Sequence, residues 1–427
     1  MARVTTSDLE PGLRGFWVAL PRPGRFLLPT VAVQHLGRGM SLPFTIIYLH
    51  EVRGFSLQTS GALMALVAAV AVVLAAPAGA LVDHLGARYV VIASSVTQSL
   101  GALVMAFATT VPAAALACAL MGVSQSSGWA ASNTLIASIV KGALRQRYYG
   151  VNFALLNLGI GVGGIIAGVV VDVRRPITFE GIFLADALLM LIPVAWLLGP
   201  LRHVHGRSER PADGPTPSYA TVLRLTGVRW LLALGAVASI VGYGQMEAGV
   251  PAFARVYGEV DTRIVGLAFA ANTAVIVLLQ FSVLHRIEGH RRTRVMLVML
   301  AVWALSWLSL GASGLLPGTL AASVLVVGYA AIFGMGETLL QPTLPAITND
   351  LAPDHLRGRM NAISSAAFMG GAVIGPVVAG QLLGHDLPVV FIAAMLAGLG
   401  GCAALALGLE RRITPAVNGV PERITAS

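Results

Sequence analysis

The chain has 427 residues, 56% of them apolar and only 11% charged, and its mean hydropathy is +0.80. A soluble domain carries about 25% charged residues, and a surface this apolar would aggregate in water; the composition points to lipid as the solvent and excludes an ordinary soluble enzyme. The net charge of +9 does not signal nucleic acid, because almost every Arg lies in a short gap between apolar runs, where membrane topology puts it.

Residues 1–25 carry Arg3, Arg14, Arg22 and Arg25 with no apolar core, so they read as a cytoplasmic N-terminal segment and not as a cleavable signal peptide. A membrane-spanning helix needs roughly 20 apolar residues. Such runs lie near 26–49, 59–82, 88–108, 112–140, 148–171 and 178–200. Residues 201–228 form the most polar stretch, with HGRSERPADGPTPS inside it, and read as a cytoplasmic linker. Six more runs follow near 229–253, 263–284, 294–314, 318–348, 360–383 and 388–409, and residues 410–427 are left as a cytoplasmic tail. The expected fold is an all-α membrane protein of twelve transmembrane helices in two six-helix bundles, 26–200 and 229–409. Cys118 and Cys402 sit deep in apolar runs as small hydrophobes, with no disulfide framework or metal spacing.

Lys and Arg positions set the sidedness. With both termini cytoplasmic, 22 of the 28 basic residues face inward and 5 outward, Arg38 being within a span. That bias places the chain in the cell inner (plasma) membrane as a multi-pass protein with both termini cytoplasmic. A shift of 212 residues superimposes the halves: Leu144-Arg145-Gln146-Arg147 falls on Leu356-Arg357-Gly358-Arg359, and Gly159, Gly163, Ala167 and Gly168 fall on Gly371, Gly375, Ala379 and Gly380. Copies separated by an even number of spans share an orientation. This arrangement predicts pseudo-symmetric bundles about an axis along the membrane normal, with a solute path between them.

The segment Gly79-Ala-Leu-Val-Asp83-His-Leu-Gly86-Ala-Arg88 joins spans two and three. It resembles the loop signature of the major facilitator superfamily. Length, six-plus-six layout and parallel repeat match as well, so the resemblance covers nearly the whole chain. It implies alternating access, and it implies that Gly79, Asp83, Gly86 and Arg88 form a conformational latch, Asp83 lying near the start of span eleven around Met360–Ala362. The second-half counterpart, His285-Arg-Ile-Glu-Gly289-His-Arg-Arg, has Arg286 at the Asp position. The Gly-rich fifth span resembles the antiporter signature of the twelve-span drug–proton exchangers, though Gly164 stands where that pattern has Pro; plain helix packing explains such glycines equally well. The membrane Arg that drug exporters often carry in span four is absent, Ser124 standing near its place.

Ionisable groups inside a bilayer cost about 2.5–3.5 kcal/mol on insertion scales and need a reason. Arg38 lies in Gln34-His35-Leu-Gly37-Arg38-Gly39, Glu247 in Tyr243-Gly-Gln245-Met-Glu247, and Glu337 at the repeat position of Gln125. The resemblance implies that spans one, four, seven and ten line the cavity, which puts all three charges there. Glu247 first and Glu337 second are the proton-coupling candidates, with Arg38 as modulator and His35 as a further relay candidate; a fixed Arg–Glu pair is the structural alternative. Asp186 is expected at the outer interface. Gln34, Gln125, Asn133, Asn157, Gln245, Asn272 and Gln280 are neutral amides at membrane depth, and Trp129 and Tyr243 offer flat walls; these are the substrate-contact candidates, interhelical bonding being the alternative for each amide.

The expected function is secondary active transport, as proton-coupled efflux (antiport) of small amphipathic compounds or drugs. The alternative is a facilitator or proton symporter for a sugar, organic acid or amino acid. No GxxxxGK[ST] loop points to an ATP-driven pump, and no nucleophile–base pattern points to an enzyme. The expected partners are a small-molecule substrate, protons and the bilayer, with no cofactor, metal or nucleic acid, and the chain is expected to act as a monomer.

Overall fold

The structure is a computed structural model that describes residues 13–140, 142–204, 219–287, 289–352 and 357–420. All regular structure among the described residues is helical. That follows from the solvent: in hydrocarbon each backbone N–H and C=O needs an internal partner, and a helix supplies it from its own segment.

After a short helix at Leu13–Ala19, the first span runs Arg22–Ser41. It continues through a 3₁₀ turn at Leu42–Phe44, a single α turn at Thr45–Ile47 and a π turn at Tyr48–Val52. The second to fifth spans are Leu57–Leu85, Ala87–Ala106, Val111–Ile139 and Gly142–Val170, and the sixth is split into Pro176–Leu189 and Ile192–Leu198. A one-turn helix at Tyr219–Leu223 precedes the seventh span, which is broken into Val228–Val241, Tyr243–Met246 and Gly249–Val256. Spans eight to twelve are Thr262–Ile287, Arg292–Ser313, Leu320–Leu351, Arg357–Gly384 and Pro388–Glu410. Among the described residues ten helices are long and apolar enough to cross a membrane. The other two expected spans, the first and fourth, are also helical. The first carries Gln34, His35 and Arg38 and is interrupted at Leu42, while the fourth is diluted by Ser124-Gln125-Ser126-Ser127.

Pro176 and Pro388 are 212 residues apart and open spans six and twelve, where a missing N–H costs nothing. Gly86 breaks the chain between spans two and three at φ +88°, a conformation that a Cβ disfavours.

The chain forms two compact units, one of Met1–Phe44, Glu51–Phe55 and Leu66–Ala212, the other of Thr45–His50, Ser56–Ala65 and Asp213–Ser427. In the first unit, span one packs on spans five and six, and span three on spans four and six. In the second, span seven packs on spans eleven and twelve, and span ten on spans eight and nine. The repeat glycines do equivalent work in each. A Cβ on Gly159 or Gly163 would overlap the Ala32 or Leu36 carbonyl of span one; a Cβ on Gly371 or Gly375 would overlap Ser239 or Gly244 of span seven. These glycines let two backbones approach closely, as small residues do in membranes. Also in the second unit, Gln58 donates to the Gly384 carbonyl at 2.7 Å.

Residues 411–420, after span twelve, fold back on the second unit. Asn418 is 4% exposed; its Oδ1 accepts from Thr293 N at 3.0 Å, and its carbonyl accepts from Arg292 N at 2.9 Å. Arg292 also pairs with Asp350 at 2.6 Å, and Arg291 and Arg294 each reach Glu410 at 2.9 Å.

Candidate functional site

The second unit's site begins with the break in span seven. Gly242 leaves helical geometry at φ −113°, ψ −99°, and Ala248 does so at φ −126°, ψ −63°. A broken helix frees carbonyls that lipid cannot satisfy, so protein groups must reach them. The amide of fully buried Gln245 donates to the Ile240 carbonyl at 2.9 Å and to the Gly375 carbonyl of span eleven at 3.1 Å. The indole N–H of Trp307 donates to the Val241 carbonyl at 3.0 Å. Between these clamps the four-residue turn presents Tyr243, and half-buried Glu247 caps its end.

Tyr243 meets the carboxylate of Glu337 on span ten. Glu337 is 8% exposed and accepts from Asn272 Nδ2 of span eight at 2.7 Å and from the Tyr243 hydroxyl. Asn272 reaches it because span eight runs close against Gly334, where a Cβ would meet the Asn272 carbonyl at 2.8 Å. Gln341, one turn beyond Glu337 on the same face, is exposed and donates to Tyr243 Oη at 3.1 Å. Aromatic rings close the remaining sides. Trp303 stacks on Phe333 with centroids 4.4 Å apart, and Tyr243 stands edge-on to both at 6.1 and 6.2 Å. Gly336 makes room for the Trp303 indole, which a Cβ there would overlap. The result is a carboxylate in an aromatic pocket, held by one amide and one phenol.

The first unit holds a different charge cluster. Asp186, expected at the outer interface, is instead fully buried. Span six lays it against span one, where Gly37 has no room for a Cβ beside the Asp186 backbone and Oδ1 (2.9 Å each). Ser41 donates to Asp186 Oδ2 at 2.9 Å, and Asp186 interacts electrostatically with Arg38. His35 bonds its own helix through Nδ1 to the Val31 carbonyl at 2.9 Å, and Gln34 reaches Met190 Sδ at 3.8 Å. Thus Arg38 and Asp186 lie on spans one and six of a single unit and interact electrostatically.

The other sequence candidates are scattered. Trp129 is 64% exposed and Gln125 is exposed beside it on span four. Asn133 lends its carbonyl to Tyr149, and Asn157 bonds the Phe153 carbonyl of its own helix. Gln280 is partly buried on span eight. Gly79 lies within span two with open space around it. The Asp83 side chain lies outside the described residues, as do the side chains of Arg357 and Gly358. Arg88 is buried, its Nε donating to the Leu197 carbonyl at the end of span six at 3.1 Å. Four residues of the Glu337 and Asp186 clusters were missed in the sequence: Gln341, Trp303, Phe333 and Ser41. The four-residue spacing of Gln341 from Glu337 was a readable signal; Trp303, Phe333 and Ser41 gave none. No group of three or more His, Cys, Asp or Glu able to hold a metal ion occurs among the described residues.

Comparison with known proteins agrees with this architecture. The family model described as Major Facilitator Superfamily matches residues 27–311 and 259–426. The uncharacterized MFS-type transporter YdeE of Escherichia coli (strain K12) is 24% identical over 373 residues, covering 86% of this chain and 90% of that protein. The class H tetracycline resistance protein of Pasteurella multocida is 23% identical over 358 residues, covering 82% and 86%. A POT family transporter, solved in complex with a thioalcohol-conjugated peptide, superimposes with a TM-score of 0.75 at 14% identity, covering 94% of this chain and 99% of that one. The chain is a multi-pass membrane protein with the twelve-helix fold of these transporters and not an enzyme, and it belongs to the major facilitator superfamily.

Proposed function

We propose that this secondary transporter is a proton-coupled exporter of small amphipathic compounds, seated in the cell membrane with both termini cytoplasmic, and that Glu337 is its coupling acid. The observation that carries the reading is the Glu337 site: an ionisable side chain at membrane depth, 8% exposed, with a 2.7 Å amide donor and a phenol as its polar neighbours. Buried intramembrane carboxylates are costly and typically mark ion or proton pathways. Similarity to tetracycline resistance proteins supports efflux of amphipathic solutes. Glu247, half-buried at the span seven break, is the second candidate acid. Asp83 is proposed as the conformational latch, biasing the state equilibrium without touching solute.

The test is flux in proteoliposomes with and without an imposed pH gradient, over a panel of amphipathic drugs and polar metabolites. Glu337→Gln mimics the protonated acid, so it should fold, keep solute exchange at equal concentrations and lose pH-driven accumulation. Full pH-driven transport by Glu337→Gln and by Glu247→Gln would leave the facilitator reading in its place.

A further inference from the structure

We infer that Tyr243 is the proton conduit to Glu337, with Gln341 fixing the orientation of its hydroxyl, rather than a flat wall for the solute. The inference rests on the reading of Glu337 as the coupling acid.

Three observations carry it. First, Tyr243 Oη stands between an exposed side chain and the buried acid: exposed Gln341 donates to it at 3.1 Å, and it donates to Glu337. Exposure of Gln341 favours a watered face there, since hydrocarbon would leave its remaining amide N–H and its carbonyl without partners. Second, the other neighbours of Glu337 are not proton relays. Asn272 bonds Glu337 Oε2 at 2.7 Å and also the Ala330 carbonyl at 3.3 Å, and an amide does not pass protons as a hydroxyl does. Trp303 and Phe333 are fully buried and stacked. Third, the titratable groups facing Glu337 among the described residues are Tyr243 from span seven and Tyr329 from its own span. Span eight presents Asn272, span nine presents Trp303 beside Gly336, and span eleven presents Phe368 to the Tyr243 ring at 5.4 Å; none of these titrates. The Tyr329 hydroxyl is turned to Met246 Sδ at 3.6 Å and is itself fully buried, so it opens no path to water.

The step balances without an added reagent. A hydronium ion at the Gln341 face donates a proton to a lone pair of Tyr243 Oη. The phenol's original O–H bond breaks as a new O–H bond forms on a Glu337 carboxylate oxygen. The hydronium is left as water, the phenol keeps one proton, and Glu337 becomes a neutral acid. Release is the reverse. Gln341 occupies one acceptor position of Oη, which turns the hydroxyl proton toward Glu337 and leaves the other lone pair for water.

The experiment needs no transport substrate. The full-length protein, reconstituted in lipid, is given a pH jump and followed by time-resolved infrared difference spectroscopy. The carboxyl band of Glu337 is identified by its absence in Glu337→Gln. Tyr243→Phe keeps the ring and its edge-on packing, so the band should reach its normal amplitude but roughly tenfold or more slowly, a barrier rise of about 1.4 kcal/mol. Gln341→Ala, exposed and outside the aromatic core, should slow the same band by a smaller factor, and it serves if Tyr243→Phe folds poorly. Protonation at the parent rate in Tyr243→Phe, or in Gln341→Ala should it stand alone, overturns the conduit and leaves the coupling acid standing. A parent difference spectrum identical to that of Glu337→Gln overturns both.

Discussion

Replacing Asn418 by Ala removes a helix cap that the tail supplies across 125 residues of sequence. Thr293 is the second residue of the ninth span, so its N–H is one of the donors that a helix cannot satisfy internally. Asn418 Oδ1 accepts from that N–H at 3.0 Å and from Thr293 Oγ1 at 3.2 Å, and Asn418 Nδ2 stands 3.0 Å from the same hydroxyl. Thr293 is fully buried, so water does not take the place of the lost acceptor. Loss of a cap costs typically about 1 kcal/mol, with a range of about 0.5–2, and a buried orphan donor about 1–3. We expect about 1–2 kcal/mol, which is roughly a 5- to 30-fold change in a local opening equilibrium. The backbone bond from Arg292 N to the Asn418 carbonyl survives the substitution, so the side chain alone is tested. Hydrogen exchange read by mass spectrometry on the reconstituted protein should speed up by that factor in peptides covering residues 290–300, while peptides of spans three and four stay unchanged. Unaltered exchange over 290–300 refutes the capping argument.

Two further outcomes are expected. Gln245→Ala should lower the melting temperature of the purified protein, because the Ile240 and Gly375 carbonyls lose their donor; interhelical bonds in membranes contribute about 0.6 kcal/mol on average and at most about 1.7, so a neutral result would mean that the break is satisfied another way. Gly163→Val and Gly375→Val should each abolish a monodisperse peak in size-exclusion chromatography, since the added methyls overlap the Leu36 carbonyl and the Gly244 backbone, whereas Gly150→Val, with open space around it, should not.

The spans are legible because hydropathy is averaged over some twenty residues, and single misreadings cancel in such a window; residues 205–218 of the expected linker 201–228 lie outside the described residues. The repeat was legible for a similar reason, and the structure gives it a cause: Gly163 and Gly375 solve the same close approach in each unit. Individual polar side chains are harder, because their role depends on one neighbour from a distant segment. For Gln245 the sequence leaves solute contact and interhelical bonding equally open; in the structure its amide bonds the broken backbone of span seven and the Gly375 carbonyl of span eleven. Glu337 and Asn272 stand out by their cost in lipid, but nothing in a one-dimensional reading says that they touch, because spans eight and ten are brought together only by tertiary packing. Arg88 was read as half of a latch by resemblance; its guanidinium bonds the Leu197 carbonyl, a partner 109 residues away.

Asp186 shows the same limit and carries the last prediction. Its position near the start of span six suggests the interface, yet Gly37 admits span one close enough for Ser41 to bond the carboxylate and for Arg38 to act on it electrostatically. If Arg38 and Asp186 act as a pair, removing either charge leaves the other poorly compensated, at a cost of about 3 kcal/mol or somewhat less given that Arg38 is only half-buried. Removing both should cost less than the sum of the single losses, with a coupling of about 0.5–3 kcal/mol. The measurement is a double-mutant cycle on Arg38→Gln, Asp186→Asn and the combined variant, by equilibrium unfolding in mixed micelles. Additive losses would show that the two side chains act independently and would refute the pairing. A positive coupling ties Arg38 to Asp186 within its own unit.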